Sequence, residues 1–173
     1  TVSTCQLDFV VAERFGLEYI DSDGERKTPF IIHRAPLSTH ERMISFLIEL
    51  YGGAFPTWMA PRQVQLIPVN DDVADYAEEI AAELRNNLFR ADIDYSNESF
   101  NKKIRNAITH KIPNLWIIGA KEKENRTITW RRYCSKQQKT IDIGDAHMAL
   151  ERLRGERMMD NFEDVELPLP SEG

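Results

Sequence analysis

The sequence predicts an α/β fold: a mixed five-stranded sheet with flanking helices, preceded by an incomplete antiparallel remnant. Three observations predict it. From Val64 to Arg154, short runs of strand character alternate with stretches whose apolar residues recur three and four apart. Ahead of them, a turn cluster separates two extended segments, as in a hairpin. Between these parts lies Gly52-Gly53-Ala54-Phe55-Pro56-Thr57-Trp58-Met59-Ala60-Pro61, a run rich in turn formers that marks a junction.

Taken in order, Thr4 to Val11 reads as a strand. Gly16 to Ile20 and Pro29 to Arg34 read as two more, paired around Asp21-Ser22-Asp23-Gly24, with Gly24 available for positive φ. Ser38 followed by Glu41 has the spacing of a capping box at a helix entrance. The helix behind it is apolar nearly all round (Met43, Ile44, Phe46, Leu47, Ile48, Leu50), which calls for burial on several sides. Nothing in residues 1–60 can surround it, so this part reads as the end of a larger domain, cut on its N-terminal side.

Residues 61–155 read as a whole domain. Val64 to Val69 alternates as a strand, and Asn70-Asp71-Asp72 offers cap oxygens to a helix bearing Val73, Tyr76, Ala77, Ile80, Ala81 and Leu84 on one side. Phe89 to Tyr95 is a strand. Asn97 is placed to cap a helix carrying Phe100, Ile104, Ala107 and Ile108, which Pro113 ends. Leu115 to Ile118 is an unbroken apolar run, as in a strand covered on both faces. Gly119 to Arg126 reads as a turn, and Thr127 to Tyr133 as a strand with Ile128 and Trp130 facing one way and Thr129 and Arg131 the other. Thr140 to Ile143 leads into a last helix from Asp145. The acidic, proline-containing tail, residues 156–173, is expected to be disordered.

Charge is distributed unevenly. Between Arg85 and Lys136 twelve Lys and Arg stand against five acids, a local excess of +7 in a chain of net charge −6. Such an excess points to a polyanionic partner, because phosphate contacts supply most non-specific nucleic-acid affinity. Solvated faces of helix and strand would give the same count. The two cysteines, Cys5 and Cys134, form neither a disulfide framework nor a CxxC metal site. No apolar stretch approaches the roughly 20 residues of a membrane span, and the N-terminus lacks the layout of a secretion signal, so the chain reads as cytoplasmic with no membrane partner.

Ser3-Thr4-Cys5-Gln6-Leu7-Asp8-Phe9, Glu13-Arg14-Phe15, Ile32-His33-Arg34-Ala35, Glu41-Arg42 and Gly53-Ala54-Phe55-Pro56-Thr57-Trp58-Met59-Ala60-Pro61 resemble, in order and spacing, the end of threonyl-tRNA synthetases. The resemblance covers residues 1 to about 155. It implies that residues 1–60 end a class II synthetase catalytic domain, with its third signature motif, and that 61–155 form the anticodon-binding domain. It further implies ATP-dependent activation of threonine and its transfer to tRNA(Thr) by a homodimeric enzyme. This chain would supply part of the active-site wall and the anticodon reader, and would be inactive alone. A freestanding RNA-binding or regulatory protein without catalysis is the alternative. The retained Thr4, Gln6, His33 and Arg42 argue against it, since an anticodon reader has no need of them.

The resemblance also implies individual roles, each of which suits the chemistry of its residue. Arg42 matches the third-motif arginine that lies against ATP; a permanently charged planar guanidinium suits adenine and phosphate alike. Near a helix start, a cation opposes the macrodipole, so a merely structural role is the weaker explanation. Thr4 and Gln6, alternate residues on one strand face, match the threonine pocket. His33 matches one of three zinc ligands. The other two are absent from this chain, and a catalytic zinc site uses three protein ligands, so neither ATP nor Zn2+ is expected to bind stably here.

Asn97, Glu122 and Arg131 match anticodon-contacting positions, an amide, a carboxylate and a guanidinium being suited to the edges and faces of unpaired bases. Their local explanations are a helix cap for Asn97 and a cross-hairpin ion pair for Glu122 with Arg131. Lys102, Lys103, Arg105, Lys121 and Lys123 are expected on the tRNA backbone, where they position without specifying. The sequence departs from the family pattern where Ser38 and Ala12 replace a usual glycine and proline, where Ala120 replaces an aspartate and Ser99 a lysine, and where Thr1 stands in place of a glutamine facing the adenine.

Overall fold

The computed structural model describes residues 3–162 and 165–169, and it divides into two units, Thr1–Gly52 and Gly53–Gly173. Thr1 lies outside the described residues.

In the first unit, β1 (Thr4–Asp8) pairs antiparallel with β4 (Ile31–Ala35), setting Thr4 opposite Ala35 and Gln6 opposite His33. β1 ends earlier than expected because Asp8 Oδ1 accepts the amide hydrogens of Val10 (2.8 Å) and Val11 (2.9 Å), which starts the single turn α1 (Val11–Arg14). The expected hairpin is also corrected. β2 (Tyr19–Ile20) pairs with β3 (Arg26–Lys27) and not with the segment from Pro29. The Lys27 ammonium, bonded to both Asp21 and Asp23, closes the turn tightly and leaves β4 free to pair with β1.

α2 (His40–Tyr51) starts one residue later than the capping-box reading required. Thr39 is its N-cap, in extended conformation, and its side chain accepts the Arg42 amide at 3.4 Å. Ser38 is excluded from that role because it is left-handed, with φ of 57°. Gly52, at the same φ, closes the helix. No α2 residue is buried, and Ile44, Phe46, Ile48 and Leu50 are between 43% and 60% exposed, so the burial that the helix's composition calls for is not supplied by the described residues.

The second unit is built on β5 (Val64–Pro68), β6 (Ala91–Ile93), β7 (Asn114–Ile118), β8 (Thr127–Arg132) and β9 (Gln138–Asp142), in the sheet order β6-β5-β7-β8-β9. The first three are parallel, while β8 and β9 run antiparallel to their neighbours, which makes the sheet mixed as expected. The helices are α3 (Ala74–Asn86), α4 (Phe100–Thr109), α5 (Ala120–Asn125) and α6 (Ile143–Gly155). Leu66, Trp116, Ile128, Trp130 and Ile141 belong to one core cluster with Tyr76, Ile80 and Leu84 of α3 and Leu150 and Leu153 of α6. Trp116 and Trp130, cross-strand partners, meet edge to face at 5.3 Å. On the opposite sheet face Ile67, Leu115 and Ile117 cluster with Ile104 and Ala107 of α4.

Four expectations change here. Gly119 to Arg126 contains the helix α5, and its exit is the left-handed Arg126. α4 is capped at Ser99, in extended backbone, so Asn97 is not its N-cap. The boundary falls at Gly52/Gly53 instead of after residue 60, because Ala54, Thr57 and Ala60 are buried in the second unit. Nor is the tail loose over its described residues: Asp160 and Asn161 are buried, and Leu167 and Leu169 pack against the larger core cluster. Residues 163, 164 and 170–173 lie outside the described residues. Among the described residues no helix is long and apolar enough to cross a membrane.

Candidate nucleic-acid interface

Strand alternation decides which side chains share a sheet face. Register sets Leu115 opposite Arg131 and Ile117 opposite Thr129, and continues to Gln138 and Thr140 on β9. All of these therefore lie on the α4 side. α4 covers the sheet over β5 and β7. Beyond it Thr129 and Arg131 are half-buried and Gln138 and Thr140 exposed, leaving an open polar surface over β8 and β9.

Arg131 has no ion-pair partner among the described residues, and its Nε is buried without a hydrogen bond. The cross-hairpin pair with Glu122 is thus not formed. Glu122 is instead held by two other groups. The amide of Gly119 donates to Oε2 at 3.0 Å, and the Thr129 hydroxyl donates to Oε1 at 2.8 Å. Glu122 and Arg131 consequently flank Thr129 on one face. Asn97 lies in the exposed loop from the C-terminal end of β6 into α4, the helix packed on that same face.

The expected phosphate contacts separate into engaged and available groups. Lys102 pairs with Glu98 at 2.8 Å, and Lys103 donates to the Asp94 carbonyl at 3.1 Å. Lys123 is drawn to α3, bonding both Asp75 oxygens (2.7 and 2.8 Å) and the Asp72 carbonyl. That ammonium holds the Asp75 carboxyl below the usual carboxylate range, assisted by the Tyr76 amide. Arg126 makes a bidentate pair with Glu79, lowering the Glu79 carboxyl likewise, and lies 5.1 Å from the Tyr76 ring centre. Lys123 and Arg126 thus staple α5 and the turn after it to α3. Arg105 and Lys121 are exposed and make no ion pair among the described residues.

Two adjoining cavities, of about 590 and 390 Å³, open near the edge strand β6 and are lined in part by Arg62, Arg85 and His110. Neither is lined by Asn97, Glu122 or Arg131. Unpaired bases are read by stacking and edge contacts on open surfaces, so the α4–β8 face fits that chemistry better than either cavity.

In the first unit, Thr4 and Gln6 are exposed on one face of β1, and Arg42 is exposed in the first turn of α2. His33 Nε2 lies 3.0 Å from Asp8 Oδ2. Amide bonds from Val11 and Val10, followed by the His33 contact, hold the Asp8 carboxyl below its ordinary value. Among the described residues no three His, Cys, Asp or Glu side chains converge as a metal site. His33 with one carboxylate does not meet the three-ligand requirement of a catalytic zinc, so the donor set in this chain does not fit the ion.

Thr129 also belongs to this group, though the sequence does not mark it as a site residue. The period-two pattern already placed it beside Arg131, but a lone threonine gives no sign that its hydroxyl is committed to Glu122.

A family model described as "Anticodon binding domain" matches residues 63–153. The chain is 51% identical over 146 residues to threonine-tRNA ligase of Streptococcus mutans serotype c, covering 84% of this chain and 22% of that protein. It is also 51% identical over 143 residues to that of Staphylococcus carnosus, covering 82% of this chain and 22% of the relative. Thus the chain spans about a fifth of the length of these relatives. Among solved structures, the RNA binding domain of threonyl-tRNA synthetase from Cryptosporidium parvum Iowa II superposes with a TM-score of 0.73 at 31% identity, over 87% of this chain and 38% of that one. Prolyl-tRNA synthetase from Cryptosporidium parvum gives 0.74 over 92% of this chain and 36% of that one; at 19% identity this likeness speaks for the fold alone. The resemblance read from the sequence to threonyl-tRNA synthetases is borne out, and the chain, through residues 63–153, belongs to the anticodon-binding domain family.

Proposed function

We propose that this chain is the decoding end of a threonine-tRNA ligase, which activates threonine with ATP and transfers it to tRNA(Thr). The observation that carries the reading is Arg131, a guanidinium with no carboxylate partner among the described residues, set beside Glu122 on an open sheet face. Arg131 offers donors and a planar surface to an unpaired base, Glu122 offers acceptors, and Asn97 offers both from the edge of α4. Arg105 and Lys121 hold the phosphate backbone and set the register of the loop. Lys102, Lys103 and Lys123 contribute only after leaving their present partners.

The first unit belongs to the synthetic site of the whole enzyme. There Arg42 lies against ATP, and Thr4 and Gln6 line the threonine pocket. Arg42 is exposed in the first turn of α2 with no ion-pair partner among the described residues, which leaves its guanidinium available for that part. The working enzyme is a homodimer in the cytoplasm. This chain alone carries out no activation of threonine.

Titrating a labelled anticodon stem-loop of tRNA(Thr) into the chain at several salt concentrations tests the reading. A steep fall of log K with log salt, together with preference over an unrelated anticodon, is expected. Flat, weak binding without preference would remove the nucleic-acid role. Threonine-dependent ATP–pyrophosphate exchange by the isolated chain would contradict the assignment of catalysis to the larger enzyme.

A further inference from the structure

We infer that Thr129 and Gly119 are positioning residues that hold the Glu122 carboxylate for base discrimination, an inference that rests on the proposed anticodon-reading role of that face. The hydrogen-bond directions are fixed by proton counting. A threonine hydroxyl has one proton. Thr129 gives its proton to Glu122 Oε1 at 2.8 Å, so the 3.0 Å contact between the Thr129 and Thr140 hydroxyls must be donated by Thr140. Thr140, Thr129 and Glu122 thus form a chain polarised in one direction, and Gly119 N–H closes on the other carboxylate oxygen at 3.0 Å. Each oxygen retains acceptor capacity. Linked hydrogen bonds of one direction strengthen one another, and a site that keeps its acceptors fixed before binding loses less on ordering.

The geometry at Gly119 gives independent support. Its φ of −119° is open to any residue, so glycine is not required there by the backbone. A Cβ at this position would stand 2.9 Å from Glu122 Oε2. The atom displaced is the end of a flexible side chain, so Gly119→Ala moves the carboxylate while keeping the fold. Thr129→Val removes the donor on the other side at nearly constant volume. The three side chains come from the start of α5, from β8 and from β9, so this cradle ties a short helix to two strands.

The test uses the full chain with anticodon stem-loops of tRNA(Thr), cognate and with each anticodon base replaced in turn, and thermal melts of every variant confirm folding. Thr129→Val and Gly119→Ala are expected to shrink the cognate-to-substituted affinity ratio roughly tenfold at one base, the size of a lost hydrogen bond to a charged group. The salt slope stays unchanged. Thr129→Ser, which restores the hydroxyl, is expected to restore the ratio, whereas a purely structural role would respond to the lost methyl as well. If Glu122→Gln collapses the ratio but Thr129→Val and Gly119→Ala leave it intact, the positioning inference is overturned while the face keeps its role. If Glu122→Gln also leaves the ratio intact, both are overturned.

Discussion

Asp160 receives hydrogen bonds from both the backbone amide (2.7 Å) and the hydroxyl (2.6 Å) of Thr57, residues 103 positions apart in the chain. Arg132 pairs with the same carboxylate at 3.1 Å, and all three groups are buried. Asn114 Nδ2 donates to the Thr57 hydroxyl and to the Gln63 carbonyl, while Trp130 Nε1 donates to Asn114 Oδ1. The segment after the unit boundary and the chain's acidic end thus meet in one polar network.

Asp160→Ala leaves the Arg132 guanidinium buried and uncompensated. Breaking a buried pair in this way costs about 3–5 kcal/mol. The urea midpoint of the second unit is expected to fall accordingly, and a midpoint within error of the parent would show that the network carries little stability.

Ser38→Gly is expected to stabilise the entrance of α2. A left-handed non-glycine residue costs about 1–2 kcal/mol, and glycine gives back part of that relief through its unfolded-state entropy. A net gain of about 0.5–1 kcal/mol should appear as a raised melting temperature of the first unit; an unchanged or lowered one contradicts the strain at φ 57°.

Asp8 links the first unit to pH. Its carboxyl is lowered from 3.8 by the amides of Val11 and Val10 and by His33, so the folded form binds its proton less readily than the unfolded chain. The resulting stability is complete above the unfolded value and is lost as pH falls through the folded one. In hydrogen exchange, protection of the Val10 and Val11 amides should decline on acidification through that window in the parent, and an Asp8→Asn variant should be flat there.

Lys121 and Lys123 are two residues apart and should behave oppositely. Lys121→Gln is expected to reduce the salt slope of stem-loop binding by about one and to leave stability unchanged. Lys123→Gln should lower stability only slightly through the lost Asp75 contacts, since solvent screens an exposed pair, and leave the slope alone. Equal slope changes for both would mean that Lys123 leaves Asp75 on binding.

What was legible in the sequence followed periodicity. The alternation at Ile128, Thr129, Trp130 and Arg131 and the helical spacing of α3 each reflect one buried face, so β5 to β9 are legible in order with α3, α4 and α6, whereas the short α5, with no buried residue, reads as a turn. Some misread features depended on distant partners and others on competition among near neighbours. β4 chose β1 over its neighbour β2, and local turn chemistry alone does not reveal that choice. The Glu122–Arg131 pair was plausible by charge, but Gly119 and Thr129 compete for the same carboxylate at shorter range. The tail looked disordered because its composition is acidic, yet the buried Asp160 is compensated by Thr57 and Arg132.

The most direct measurement is amide chemical-shift mapping of the chain on titration with the tRNA(Thr) anticodon stem-loop. Perturbations should concentrate at Asn97, Glu122, Thr129 and Arg131 and saturate together, with α3 and α6 unaffected. Saturable shifts confined to α3, α6 or the β6-edge cavities, with Glu122 and Arg131 silent, would contradict the assignment of decoding to the α4–β8 face.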